Sequence, residues 1–231
     1  DVWLNPDMFE LDEDVRPIRI AGVPPDYFQK DGQRWGNPLY DWQKMSADGY
    51  LWWKKRIRAA SRLFDVIRID HFRGFEAYWS VPATDDTAMY GKWIKGPGLD
   101  LFKTIKKKLG DIPIIAEDLG VITEEVADLR DAAGLPGMKV LQFAFSKEEV
   151  KEHGMTNYFM PHNFTTDQCI VYTGTHDNDT AQGWLELIDD ETLLIVAQYL
   201  TGSETTVQKA KAMVKSGALR NLMIKSVLSS S

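Results

Sequence analysis

Four short apolar segments, each followed by polar residues, restrict the fold of this chain more than any other sequence feature. We predict a strand in each, because they are rich in β-branched residues and too short for typical helices. Segments with helical periodicity lie between them, and strands that alternate with helices form parallel sheets. The predicted strands span residues 64–70, 112–116, 138–145 and 169–173.

The helical segments are predicted from apolar spacing and from capping residues. Only four strand–helix units are visible, whereas a (β/α)₈ barrel needs eight strands and about 250 residues. We therefore expect an α/β fold that is a partial (β/α)₈ TIM barrel. A complete small doubly wound domain is the alternative, although no G-x-G-x-x-G follows any strand. The predicted helices span 47–63, 99–109, 124–133, 180–188, 190–201, 204–215 and 217–228.

The first 45 residues contain five prolines and three glycines, which break helices and central strands. We predict an irregular loop here, and a loop this long is usually a lid or binding loop. The expected organisation is an active-site loop region at 1–45, βα units at 46–178 and a helical segment at 179–231. Both ends suggest a fragment of a longer chain, since the sequence starts with Asp1 and stops just after a helical pattern.

The composition excludes several classes of partner. With 27 Lys plus Arg against 34 Asp plus Glu, the net charge is −7, and no basic stripe offers a nucleic-acid surface. No apolar run is long enough to span a membrane. Cys169 is the one cysteine and no signal peptide is visible, so we expect a cytoplasmic protein, or a plastid one in a plant or alga.

Three of the predicted strands end beside a carboxylate: Asp70, Glu117 and Asp177. The carboxyl ends of parallel barrel strands form one rim, where active sites are built, so these residues are expected to converge. A single acid at such a position is often only a helix cap. Three together indicate a site.

Two of these acids have different predicted environments. Arg68 precedes Asp70 by two residues and shares its face of the strand, so its guanidinium favours the ionised carboxylate. Glu117 ends an apolar strand, where burial would raise its pKa. Two carboxyl groups with separated pKa values are typical of glycoside cleavage.

A divalent metal site is the alternative use of His71, His176, Asp177 and Asp179, because imidazole and carboxylate are common ligands. Their spacing matches neither an H-E-x-x-H nor an EF-hand pattern. The chain also has 8 Trp, 8 Tyr and 10 Phe, many beside Gly or charged residues. Exposed aromatics suit ligands with flat apolar faces, such as sugars, although most Trp residues serve packing.

Three motifs in order resemble signature regions of the α-amylase superfamily: Arg68-Ile69-Asp70-His71-Phe72-Arg73-Gly74, Ala116-Glu117-Asp118-Leu119-Gly120 and Thr175-His176-Asp177-Asn178. The segments 22–28, 31–40 and 137–145 are similar to the amylomaltase branch, the 4-alpha-glucanotransferases. The resemblance covers Asp1 to about residue 200. It implies strands 4 to 7 of a barrel, with the first three strands and the family's closing segment absent.

The resemblance also implies a retaining transfer of α-1,4-glucan segments to glucose or maltooligosaccharides, with no cofactor and no metal. Asp70 resembles the nucleophile, Glu117 the general acid/base and Asp177 the third carboxylate. Arg68 and His176 resemble the partners of subsite −1. The segment with Asp26, Tyr27, Phe28 and Trp35 resembles a lid over the acceptor. Further substrate-binding candidates are Asn37, His71 and Asp118.

Three classes of function stay open at this point. They are a glucanotransferase with hydrolase as its near neighbour, a non-catalytic glycan-binding fragment, and a metal-dependent hydrolase. Transferase and hydrolase differ in whether an acceptor sugar or water reaches the covalent intermediate, which depends on the geometry of the lid.

Overall fold

The computed structural model describes residues 1–26, 29–120 and 122–230. The described chain divides into two compact units, Asp1–Pro136 and Gly137–Ser231. In the first unit the strands and helices are β1 (Arg19–Val23), β2 (Gln33–Pro38), α1 (Trp42–Ala47), α2 (Leu51–Ala60), β3 (Ile67–Ile69), β4 (Ala77–Pro82), β5 (Lys92–Lys95), α3 (Gly98–Leu109), β6 (Ile114–Ala116) and α4 (Glu124–Ala133).

The irregular conformation predicted for residues 1–45 is wrong, because β1 and β2 lie there. Within the described residues they belong to an antiparallel sheet with the strand order β2-β1-β4-β5. The sequence hides β2, since its residues are mostly exposed and include Gly36 and Pro38. Pairing with β1, and not an apolar pattern of its own, holds β2 in the strand conformation. At Gly22 the carbonyl of Gln33 lies where a Cβ would stand, so the glycine permits this close pairing.

Strands β3 and β6 form a parallel pair in register, with Ile67 opposite Ile114 and Ile69 opposite Ala116. Helices α2, α3 and α4 contribute Ile57, Leu101 and Val126 to the core around this pair. The predicted strand 64–70 is therefore shorter in the structure, and its exposed first residues lie outside β3.

The predicted helix 47–63 is interrupted. It forms α1 and α2, because Gly49 and Tyr50 both adopt a positive φ, of 67° and 58°, between the two helices. The left-handed backbone there cannot continue a right-handed helix.

In the second unit the elements are β7 (Gly137–Val140), α5 (Lys147–His153), β8 (Cys169–Tyr172), α6 (Ala181–Leu187), α7 (Asp190–Thr201), α8 (Val207–Lys215) and α9 (Ala218–Leu228). Strands β7 and β8 are parallel. The prediction of a strand up to residue 145 is wrong, since Phe143–Phe145 is a 3-10 turn. That apolar turn packs with α6 to α9 in a second core, so its hydrophobicity reflects burial and not strand pairing.

The helices after residue 179 agree with the prediction to within three residues at each end. Capping explains this agreement. The Thr180, Asp189 and Thr206 side chains accept hydrogen bonds from backbone N–H groups in the first turns of α6, α7 and α8. In the described part of the chain, no helix is long and apolar enough to cross a membrane.

Candidate active site

The register of β3 and β6 brings Asp70 beside Glu117. Each residue directly follows its strand, and the amide of Glu117 continues the ladder by donating to the carbonyl of Ile69 at 2.9 Å. Ile69 and Ala116 are buried on one face of the pair. Because side chains alternate along a strand, Asp70 and Glu117 share the opposite face.

Asp70 forms an ion pair with Arg68. The Arg68 Nη1 lies 2.6 Å from Asp70 Oδ1, as expected for two residues on the same strand face. The Asp70 side chain is 76% exposed, so it stands at the open side of the pair with a cation next to it. A ligand can therefore reach this carboxylate next to the guanidinium.

Glu117 is held by two backbone amides. The N–H of Leu119 donates to Oε1 at 2.9 Å and the N–H of His71 donates to Oε2 at 2.7 Å. Burial raises the pKa of Glu117, while these two hydrogen bonds act against the rise. The raised pKa predicted from the sequence is confirmed in direction, and its cause is the predicted one, burial.

His71 connects the two acids, since it follows Asp70 in the chain and bonds to Glu117 through its amide. Its backbone is left-handed, with φ 49° and ψ 54°. Burial lowers the pKa of the imidazole to about 4, with the charge of Arg73 as a smaller cause. The ring is therefore neutral near pH 7.

A cavity of about 530 Å³ opens beside Asp70 in the first unit, whereas Glu117 is not among the residues that line it. Asp70, Arg68 and His71 line one part of it, and Trp35 and Asn37 of β2 line another. Apolar and aromatic side chains form much of the remaining wall, including Trp42, Trp53, Ile57, Phe75 and Tyr78. A concave, mostly apolar wall with a few charged groups is typical of a small-ligand site.

The predicted lid residues are only partly described. Trp35 is exposed, and its ring meets the His71 ring edge to face, with 4.7 Å between the centroids. Asp26 accepts a hydrogen bond from the Gln29 amide at 2.7 Å. Tyr27 and Phe28 lie outside the described residues.

Asp118 lies next to Glu117 but on the buried side, with 3% of its surface exposed. Its Oδ2 lies 2.6 Å from Nη1 of Arg130 on α4. Sequence reasoning missed this partner, because twelve residues separate the two positions and no spacing rule links them. A substrate contact by Asp118 would have to share or replace this ion pair, so the predicted binding role stays a prediction.

Asp177 belongs to the second unit and follows β8. Its Oδ1 lies 3.4 Å from Nε2 of His176, and both side chains are exposed. The turn that carries them is fixed by Asn178, whose Oδ1 accepts hydrogen bonds from the Thr175 amide and hydroxyl. Among the described residues, no three His, Cys, Asp or Glu side chains cluster as metal ligands would.

Two carboxyl groups on one face, one exposed beside a cation and one partly buried, can divide the roles of nucleophile and proton donor. The donors around Glu117 were not predictable as such, because they are backbone amides whose direction depends on the turn after each strand. Cleavage of a glycosidic bond is one reaction that uses a pair of carboxyl groups in this way.

Comparison with known proteins agrees with this class of site. The sequence model of the 4-alpha-glucanotransferase family, glycoside hydrolase family 77, matches residues 1–230. The chain is 50% identical over 228 residues to a 4-alpha-glucanotransferase of Thermus thermophilus, which covers 98% of this chain and 44% of that protein. It is 49% identical over 204 residues to a chloroplastic/amyloplastic 4-alpha-glucanotransferase of Solanum tuberosum, covering 88% of this chain and 34% of that protein.

A solved structure is also similar, that of an amylomaltase from Streptococcus agalactiae in complex with acarbose. The TM-score is 0.78 at 43% identity, over 87% of this chain and 39% of that one. The chain thus belongs to the 4-alpha-glucanotransferase family, which confirms the resemblance seen in the sequence motifs. It spans less than half the length of the relatives it matches.

Proposed function

We propose that this chain carries the catalytic carboxylates of a 4-alpha-glucanotransferase that moves α-1,4-glucan segments onto glucose or maltooligosaccharide acceptors. One observation carries the proposal: Asp70, paired with Arg68, shares a strand face with Glu117 in a chain whose family is this one. The two units would form part of a (β/α)₈ barrel. Neither a cofactor nor a metal has a role in this reaction.

In the first half of the reaction, an oxygen of Asp70 attacks C1 of the donor glucan and the bond from C1 to the glycosidic oxygen breaks. Protonated Glu117 gives its proton to that oxygen, which leaves with the released chain. The product is a β-glycosyl ester on Asp70. The Arg68 guanidinium lies 2.6 Å from this carboxylate and places a positive charge beside it.

In the second half, ionised Glu117 removes the proton from the 4-hydroxyl of an acceptor sugar. The acceptor oxygen attacks C1, the ester bond to Asp70 breaks, and Asp70 is released as a carboxylate. Two inversions at C1 retain the α configuration. The backbone amides at Glu117 stabilise its anion at this stage.

Asp177 and His176 would hold hydroxyls of the sugar whose bond is broken, and contacts of this kind accelerate the step when they strengthen in the transition state. Trp35 and Asn37, with Asp26, Tyr27 and Phe28, would contact the acceptor side. His71 and Asp118 complete the proposed substrate-binding residues. We propose the cytoplasm, or a plastid in a plant or alga, as the location.

The test is incubation of the full-length polypeptide with maltotriose, followed by chromatography of the products. A transferase yields glucose together with oligomers longer than maltotriose. Asp70→Asn should abolish both products, because no covalent intermediate can form. Lys103→Gln, an exposed change on α3, is the matched control for loss of one charge and should keep the wild-type products.

Other product patterns would contradict the proposal. Glucose and maltose alone would indicate a hydrolase, and binding of maltotriose without products would indicate a glycan-binding protein. Loss of turnover on addition of a chelator would indicate a metal-dependent enzyme.

A further inference from the structure

The residue between the two catalytic carboxylates has a backbone conformation that most side chains avoid. His71 lies in the left-handed region, at φ 49° and ψ 54°. Non-glycine residues adopt this region rarely. Asn, Asp and His are the most tolerant of it, and β-branched residues are outliers there. Such a conformation persists only where the surrounding structure imposes it.

The His71 ring is closely packed. The edge of Trp35 contacts one side of the imidazole, with centroids 4.7 Å apart. On another side, a Cβ at Gly74 would lie only 3.1 Å from His71 Cδ2, so the ring occupies the space that the glycine leaves free. The ring is thus packed between β2 and the turn that follows β3.

The peptide plane that precedes this left-handed residue carries the amide that reaches Glu117. The His71 N–H donates to Glu117 Oε2 at 2.7 Å, and the Leu119 N–H donates to Oε1 at 2.9 Å. Each carboxylate oxygen therefore accepts one backbone donor, which fixes the plane of the carboxyl group. Each oxygen keeps a second lone pair for a proton.

We propose that His71 is a positioning residue whose left-handed backbone aims its amide at Glu117 and so orients the acid/base. The proposal rests on the proposed function, in which Glu117 gives a proton in one half-reaction and takes one in the other. A carboxyl group that rotates out of line with the glycosidic oxygen would transfer protons poorly, since geometry precedes pKa in such catalysis.

The proposal predicts a coupling that the wild-type full-length polypeptide can report without any variant. In an NMR pH titration, the chemical shifts of the His71 amide proton and of the Glu117 side-chain carboxyl carbon should change with the same midpoint, because both respond to the ionisation of Glu117. The other charged groups facing Glu117 are Asp70 and Arg68 of the β3 segment, so Asp70 must be titrated in the same spectra. The proposal would be wrong if the chemical shift of the His71 amide proton did not change as Glu117 ionises.

Two variants of His71 then distinguish the effect of its backbone conformation from the effect of its imidazole ring. His71→Val should turn the residue out of the left-handed region, raise the pKa of Glu117 through loss of the amide donor, and lower kcat by about 10- to 100-fold. His71→Asn tolerates the left-handed backbone, so the pKa of Glu117 should stay near that of the wild type. Tyr90→Ala, an exposed aromatic residue in the connection between β4 and β5, is the control and should leave the pKa of Glu117 unchanged.

The titration does not depend on turnover. It therefore tests the positioning role of His71 even if the full-length polypeptide shows no transferase activity. A folded His71→Val protein with an unchanged Glu117 pKa would overturn the positioning role. Equal shifts of that pKa in His71→Val and His71→Asn would assign the effect to the ring and likewise overturn it. A shift in His71→Val alone, with a matching displacement of the pH profile of kcat, is the expected result.

Discussion

At the scale of single residues, Asp70 and Glu117 are carboxyl groups on the same strand face with different neighbours. A guanidinium lies 2.6 Å from Asp70, while Glu117 is partly buried and bonded to two amides. Burial raises the pKa of Glu117 above its ordinary value, so a larger share of its carboxyl groups carries a proton near neutral pH. The proposed proton donor and the proposed nucleophile thus differ in their surroundings.

This difference predicts the behaviour of Glu117→Gln. Turnover of maltotriose should fall by about 10²- to 10⁴-fold, because the leaving glucan must be protonated. Turnover of α-maltosyl fluoride should fall much less in its first step, since fluoride leaves without a proton. Steady-state and burst kinetics on both substrates provide the measurement, with Glu124→Gln on the exposed first turn of α4 as control. Equal losses on both substrates would show that Glu117 is not the acid.

At the scale of elements, the short parallel pair of β3 and β6 positions the site, and α4 supports it from behind. The Arg130 side chain of α4 pairs with Asp118, and both side chains are largely buried. Taking a charge away from a buried pair leaves the other in a medium of low polarity. The ion pair of Asp118 therefore holds the residue directly after Glu117 against α4.

Arg130→Met should lower the free energy of unfolding by up to about 3 kcal/mol. Asp118→Asn should lower it by less, because Arg130 keeps its ion pair with Asp131 at 2.7 Å. The double variant should lose less than the sum, because neither charge then stays behind without the other. Urea unfolding of the full-length polypeptide gives these values. The matched control is Lys106→Met, whose ion pair with Asp111 is exposed and should contribute little. Additive losses would contradict a direct interaction.

Strand β2 carries Trp35 into contact with His71 at the cavity. Trp35→Ala should shift the products of maltotriose from transfer towards hydrolysis, because a smaller side chain admits water to the covalent intermediate. Chromatographic product ratios provide the measurement. Tyr90→Ala removes an exposed aromatic ring in the connection between β4 and β5 and should not change the ratio. An unchanged ratio in Trp35→Ala would assign that side chain to packing alone.

The sequence predicts these elements unevenly, for physical reasons. β3, β6 and β8 and the capped helices are local patterns of apolar spacing and end signals, so they could be read directly. β2 could not be predicted in this way, because its strand conformation depends on pairing with β1 and not on a pattern in its own residues. The acids of the site were predictable from their place after apolar strands. The Asp118 partner and the amides at Glu117 depend on contacts between distant positions.

At the scale of the whole molecule, β3 pairs only with β6 among the described residues, so one side of β3 is an open edge. Large apolar side chains in the segment before β3 are also exposed, Leu63 by 76% and Phe64 by 62%. An open edge with apolar neighbours pairs readily with other chains. The Thermus thermophilus relative is more than twice as long as this chain, so a polypeptide of that length has further residues that could cover the open edge of β3.

Residues 1–231 expressed alone should consequently unfold without a sharp transition, aggregate on heating and fail to convert maltotriose. Thermal unfolding followed by circular dichroism and light scattering gives the measurement. Leu63→Lys combined with Phe64→Lys should reduce the scattering without restoring turnover, because charges at an edge oppose strand pairing. A sharp transition with normal disproportionation would contradict this expectation.

The short parallel register of β3 and β6 also limits which insertions and deletions the gene can accept. One residue added to or removed from either strand would carry Asp70 or Glu117 to the opposite face, towards the core where Ile69 and Ala116 lie. Substitutions at the buried apolar positions of these strands need only preserve volume, whereas a change in length would separate the two acids. Length variation among functional homologues should accordingly fall in the connections, such as the one between β4 and β5, and spare both strands.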